Sequence, residues 1–131
     1  MIGSLSLEAR IGETVEALQL RHGSGKEIGE NQIVFTIENF DVTITFEKGE
    51  SIREIYTTRI GNNDEFHPMS EKEVQQLLKI QGEGKSWQKI EEEPDGRSLW
   101  LMAEGTLYAR FLPKFNTLTF TAALKAVPKN R

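Results

Sequence analysis

The chain reads as an α+β protein made of two tandem helix-plus-antiparallel-meander repeats, α-β-β-β and then α-β-β-β-β, in a single domain over residues 1–131. Three observations lead there. The sequence matches itself at an offset of 59: Val15 to Lys26 (VEALQLRHGSGK) lies over Val74 to Lys85 (VQQLLKIQGEGK), agreeing at valine, leucine, both glycines and lysine. Each copy carries apolar residues three or four apart, which gives a helix one buried stripe. Each is followed by short segments of alternating apolar and polar residues separated by turn formers, the pattern of half-buried neighbouring strands. The repeat covers 11–60 and 70–124, and a tail follows over 125–131.

The first helix opens near Gly12, with Glu13 and Glu16 at the positive end of its dipole and Arg21 and His22 at the negative end. Three strands come next: Ile33 to Ile37, Val42 to Phe46, and Ile52 to Arg59. Asn39-Phe40-Asp41 is expected to turn the chain between the first two, and Lys48-Gly49-Glu50 to turn it into the third. The second helix has a well-marked start. Ser70 and Glu73 have capping-box spacing, Met69 and Val74 are placed as a hydrophobic staple, and Pro68 discourages helix any earlier. Four strands follow, at Trp87 to Glu92, Ser98 to Met102, Leu107 to Leu112 and Thr117 to Ala122. They are divided by Pro94-Asp95-Gly96, Ala103-Glu104-Gly105 and Pro113-Lys114-Phe115-Asn116. Short turns make these strands antiparallel neighbours, able to bury one face under the helices.

Gly23-Ser24-Gly25-Lys26 and Gly82-Glu83-Gly84-Lys85 look like phosphate-cradling loops. A nucleotide loop has Gly-x-x-x-x-Gly-Lys-Ser/Thr before its helix, so that the first helical amides meet the anion. Here each helix precedes its glycines, and position 79 is lysine where the leading glycine belongs. Gly23 and Gly82 are therefore expected to be left-handed helix stops.

The fold plan, with "IGETVEALQLRHGSG" at 11–25, "FEKGESIREIYTT" at 46–58 and "MSEKEVQQLLKIQGEGKSW" at 69–87, resembles the β-lactamase-inhibitor-like fold and small outer-membrane lipoproteins of the assembly-machinery type. The wording is also similar to that of small exported bacterial proteins of unknown function. The resemblance covers about half the chain and implies a binding protein. It transfers no catalytic residue, and there is no lipobox cysteine.

Composition narrows the chemistry. A net charge of −4 with 27% charged residues fits a globular protein, and no run approaches the roughly 20 apolar residues of a membrane helix. With no cysteine, disulfides, thiolate metal sites and cysteine nucleophiles are out. His22 and His67 have no partner at zinc spacing, so no metal is expected. The run Asn62-Asn63-Asp64-Glu65 lacks the ligand spacing of a calcium loop. Glu91, Glu92, Glu93 and Asp95 are expected to form a solubilising hairpin tip, because neighbouring strand residues point to opposite faces. No cofactor or catalytic residue is indicated, and the chain is not expected to be an enzyme. Residues 1–6 have neither a basic n-region nor an apolar h-region. The expected location is periplasmic or secreted if a signal peptide has been removed, and cytoplasmic otherwise.

Binding has a clearer basis. From residue 105 onward the charged residues are all basic: Arg110, Lys114, Lys125, Lys129 and Arg131. This asymmetry can orient a charged partner, with Tyr108, Phe115 and Trp100 nearby as aromatic anchors. Alternation places Leu107, Ala109 and Phe111, with Leu118, Phe120 and Ala122, toward the core. Tyr108 and Arg110 then project to the opposite face beside Thr117, Thr119 and Thr121. The leading expectation is an exported, non-catalytic interaction module that binds a protein or envelope component through a sheet face at Tyr108, Arg110, Lys114 and Phe115. The alternative is a small-ligand or glycan binder with Trp87 and Trp100 lining a cleft between the repeats. Nucleic acid is disfavoured, because the basic residues form no dense stripe.

Overall fold

A computed structural model describes residues 9–59, 68–83, 85–102 and 106–123. Its elements are α1 (Val15–His22), β1 (Lys26–Gly29), β2 (Gln32–Ile37), β3 (Phe40–Glu47), β4 (Glu50–Thr58), α2 (Glu71–Gly82), β5 (Trp87–Glu92), β6 (Ser98–Met102), β7 (Leu107–Leu112), a short 3-10 turn (Pro113–Phe115) and β8 (Thr117–Ala122). The strands form one eight-stranded sheet in the order β1-β2-β3-β4-β8-β7-β6-β5, with every pair antiparallel. The protein is thus α+β, with two helices on an antiparallel sheet.

Side-chain alternation divides the sheet into two faces. On one, the rows Phe35, Val42, Tyr56, Leu118, Phe111, Ser98 and Ile33, Ile44, Glu54, Phe120, Ala109, Trp100 run across the strands. Most of these side chains are fully buried, and they form one core with Leu18 of α1 and Val74, Leu77 and Leu78 of α2. Val15 packs against the core as a partly buried side chain. Both helices therefore cover the same face, and the buried stripe is the one their sequence spacing dictates. Leu20 lies off that stripe and is 88% exposed.

The helix ends follow from local chemistry. The Thr14 hydroxyl accepts from the Ala17 amide at 3.1 Å, and so supplies the cap of α1. The capping box of α2 is present as expected. Glu73 N–H donates to Ser70 Oγ at 3.1 Å, and Ser70 N–H donates to Glu73 Oε1 at 2.8 Å. At the other ends the two glycines behave differently. Gly23 caps α1 with φ +91°, a region that side chains disfavour. Gly82, by contrast, is the last helical residue, and the left-handed cap of α2 is Glu83, at φ 52°.

Gly82 is small for a different reason. A Cβ there would stand 2.8 Å from Trp87 Nε1, whose N–H donates to the Leu78 carbonyl at 2.8 Å. The missing side chain lets the indole reach the helix backbone.

Two further expectations are corrected. The first run has four strands, since Lys26–Gly29 pairs with β2. All four residues of β1 are exposed, so no buried alternation marks it in the sequence. Phe40 does not belong to a turn. It begins β3 and is 2% exposed, and the tight turn is made by Glu38, at φ 57°, and Asn39. The four later strands have the expected bounds. His67, Asn62 to Glu65, Ala103 to Gly105 and the tail 125–131, with Lys125, Lys129 and Arg131, lie outside the described residues.

Candidate functional site

The helix-free face carries its own rows. One runs Val34, Thr43, Ile55, Thr119, Arg110, Leu99, and the next Gln32, Thr45, Arg53, Thr121, Tyr108, Leu101. Thr57, Thr117 and Leu112 extend a third. Every one of these residues is partly or fully exposed. Among the described residues both helices lie on the opposite side, so this surface is a band of threonine methyls and aliphatic groups holding the guanidinium groups of Arg53 and Arg110, with the carboxylates of Asp41 and Glu91 in the same rows. At one end, Ile52, Arg53, Tyr108 and Thr121 line a depression of about 370 Å³.

Tyr108 and Arg110 thus stand where alternation places them, cross-strand from Thr121 and Thr119. Lys114 and Phe115 sit in the 3-10 turn between β7 and β8, where Phe115 is 66% exposed. The two tryptophans are on the other face. Trp87 is half-buried and meets Phe120 at a tilt, with centroids 5.9 Å apart. Trp100 is buried in the core row, and the Lys89 ammonium stands 5.4 Å from its ring centroid. The six candidates therefore do not form one surface: the sheet separates Tyr108 and Arg110 from Trp87 and Trp100. The tryptophans do line a common depression, but it lies between α2 and the β5–β6 hairpin. It is not a cleft between the two runs of strands.

Sequence reasoning missed a polar centre inside the core. Glu54 is fully buried in a row that is otherwise apolar. Its Oε1 accepts from Gln81 Nε2 at 3.0 Å and lies 3.1 Å from the Tyr56 hydroxyl. Tyr56 Oη and Gln81 Nε2 each also lie 3.1 Å from the Ala9 carbonyl, and Ile11 N–H donates to Gln81 Oε1 at 2.6 Å. Glu54 Oε2 has no hydrogen-bond partner among the described residues.

Burial pushes the Glu54 carboxyl up to about 8, against the opposing effect of the Gln81 and Tyr56 hydrogen bonds. The nearby Glu13 charge adds to the rise, and Arg21 lessens it. Burial also raises the Tyr56 phenol well above its ordinary range. The geometry suits a neutral acid. A phenol has one proton; when it goes to the Ala9 carbonyl, the phenol oxygen is left to accept, and protonated Glu54 supplies the donor. Glu54 and Tyr56 are buried, Gln81 reaches the edge of a surface depression, and the cluster joins β4, α2 and the segment before α1. It is a structural centre.

Glu91, Glu92, Glu93 and Asp95 are all exposed around the β5–β6 turn, where Asp95 pairs with Arg97 at 3.0 Å. His22 ends α1 and meets Phe35 edge-on, with centroids 6.3 Å apart. Among the described residues, no helix is long and apolar enough to cross a membrane, and no group of three or more acidic or histidine side chains is placed to hold a metal. The chain matches no family model, no curated protein and no solved structure.

Proposed function

We propose that the chain is a non-catalytic interaction module that binds a protein partner with the helix-free face of its sheet. The observation that carries this reading is the composition of that face. Val34, Ile55, Leu99, Leu101, Tyr108 and Leu112 share it with a ladder of threonines, and both helices cover the other side. A contiguous apolar band on a soluble domain marks an interaction site, and threonine leaves such a band wettable when the partner is away. Arg53 on β4 and Arg110 on β7 stand on either side of β8, and Asp41 on β3 and Glu91 on β5 continue the same rows, so the face offers pairing to a partner surface of mixed charge. The reading also takes the two helix-plus-four-strand runs as copies of one unit. Their element order, the mirrored strand order and the sequence match at offset 59 support this. Export to the envelope belongs to the same proposal and rests on the resemblance alone.

The absence of native cysteine makes a site-specific test simple. Thr119→Cys on the open face and Gln76→Cys on the exposed side of α2 each take a short photo-crosslinker, and both proteins are incubated with extract of the source organism. Adducts of the same partner are expected from position 119 and not from 76. Adding Ile55→Asp should remove them without changing the circular dichroism. Equal labelling from both positions, or adducts that survive Ile55→Asp, would refute the assignment of this face.

A further inference from the structure

The chain enters α1 through a strap, Ala9-Arg10-Ile11-Gly12-Glu13, that side chains of β4 and α2 hold down. Tyr56 Oη and Gln81 Nε2 each lie 3.1 Å from the Ala9 carbonyl, and Gln81 Oε1 accepts from the Ile11 N–H at 2.6 Å. Ser51 Oγ accepts from the Gly12 N–H at 2.9 Å and donates to the Arg10 carbonyl at 3.1 Å. Ala9 is fully buried and shares Tyr56 and Gln81 with Glu54, whereas Arg10, Ile11 and Gln81 line a surface depression of about 320 Å³. The strap therefore stands between the buried carboxyl and that depression. We propose that it is a proton-gated latch: the proton on Glu54 keeps residues 9–13 closed, and its release is coupled to their local opening while the sheet stays folded.

Counting donors supports the coupling. While Glu54 is neutral, the Tyr56 proton serves the Ala9 carbonyl and the carboxyl proton serves the phenol oxygen. A carboxylate can only accept. It draws the phenol proton to itself, because a charged acceptor makes the stronger bond, and the Ala9 carbonyl is left with Gln81. Glu54 Oε2 has no hydrogen-bond partner among the described residues, and its cross-strand neighbours Ile44 and Phe120 are apolar. The charges that bear on Glu54 are those of Glu13, in the strap, and Arg21, in α1. They pair at 2.7 Å and act on Glu54 in opposite directions. Arg10 pairs with Glu83 at 3.2 Å, and burial holds the Tyr56 phenol well above its ordinary range. An ionised Glu54 is thus best stabilised by water, which meets Oε2 when the strap lifts.

Opening returns the carboxyl from about 8 toward its ordinary 4.5. The hold on the strap is complete below pH 4.5 and is lost as the pH rises through about 8, and each unit between raises the opening constant by up to about tenfold.

Amide hydrogen exchange of the full chain, followed by NMR between pH 6 and 8 and corrected for intrinsic rates, reads this opening. The Ile11 and Gly12 amides, both bonded to side chains that hold the strap, should lose at least about tenfold in protection over this range. At fixed pH, 1 M urea should change them by less than about twofold, whereas amides of Ile44 and Phe120, freed by global unfolding, should respond by about fivefold or more. In Glu54→Gln the protection of Ile11 and Gly12 should not vary with pH. The proposal is overturned if the wild-type strap amides show no pH dependence, if that dependence survives in Glu54→Gln, or if their exchange rises with urea as steeply as that of Ile44 and Phe120. Should the variant fail to fold, the wild-type pH and urea series decide by themselves.

Discussion

Replacing Glu54 with glutamine tests the buried centre most directly. The ordinary carboxyl value is 4.5, and burial raises that of Glu54 to about 8. Below pH 4.5 the folded and unfolded chains both carry the proton, and this residue's contribution is fully present. As the pH rises toward 8 the unfolded chain ionises while the folded chain stays protonated. The unfolded state is favoured by about 1.4 kcal/mol for each unit, and the loss levels off above about 8. Over the whole window this amounts to about 5 kcal/mol at most. That is a large share of the 5–15 kcal/mol that typically holds a domain together. Glutamine keeps the size of the side chain and never ionises. Its oxygen can take the place of Oε1, which Gln81 and Tyr56 share, while its amide takes the place of Oε2, which has no partner among the described residues. Urea unfolding, followed by tryptophan emission at pH 5, 6, 7 and 8, gives the difference between wild type and Glu54→Gln. Most contributions from the other titrating groups cancel in it. The buried amide adds a cost that does not vary with pH, so the stability of the variant relative to wild type should rise by several kcal/mol between pH 5 and pH 8. A difference that stays flat within about 0.5 kcal/mol over this range would refute the argument that the folded state holds a proton here.

Gly82→Ala should cost about 1–3 kcal/mol, because the new methyl has to displace the Trp87 indole from the helix backbone. Thermal melts give the cost, and a red-shifted emission maximum shows that the indole has moved. In α1, Leu18→Ala should cost about 2–5 kcal/mol and Leu20→Ala less than about 0.5 kcal/mol, because Leu18 is fully buried and Leu20 is 88% exposed. Denaturant melts of the pair check which face of α1 meets the sheet.

Features set by neighbours in the chain were legible in the sequence. The capping box of α2 depends on Ser70 and Glu73 alone. The strands from Trp87 to Ala122 are bounded by strong turn formers, and alternation in β7 and β8 was enough to put Tyr108 and Arg110 across from the threonines. Features decided by distant partners were not legible. Lys26–Gly29 becomes a strand only because β2 offers it an edge, and Phe40 is drawn into the core by Tyr56, whose ring it meets at 5.9 Å. In β4 alternation alone allows either Ile52, Glu54 and Tyr56 or Arg53, Ile55 and Thr57 to face the core, and the neighbours Ile44 and Phe120 decide that Glu54 is buried, while a bulge opposite Thr45 and Phe46 brings Ser51 to the buried side as well. The hydrogen bond of Glu54 to Gln81 joins residues 27 apart in sequence. Trp100 looked available for a ligand because nothing local reveals the helix above it. The depression it floors becomes apparent only when α2 is set beside β5.

The strand order has a consequence for how the chain reaches this state. Each strand from β1 to β4 pairs with its sequence neighbour, as does each from β5 to β8, and such short-range pairings form quickly. The exception is the ladder from Arg53↔Thr121 to Thr57↔Thr117, which must close a loop of about 60 residues. Asn116 reinforces this seam by bonding to Thr58 and Met69. While the seam is open, β4 and β8 are two unpaired edges of matched register, and β8 of a second copy offers β4 the same ladder as its own. Closure within one chain is first-order and exchange between chains is second-order, so protein concentration during refolding sets the balance between monomer and half-exchanged dimer.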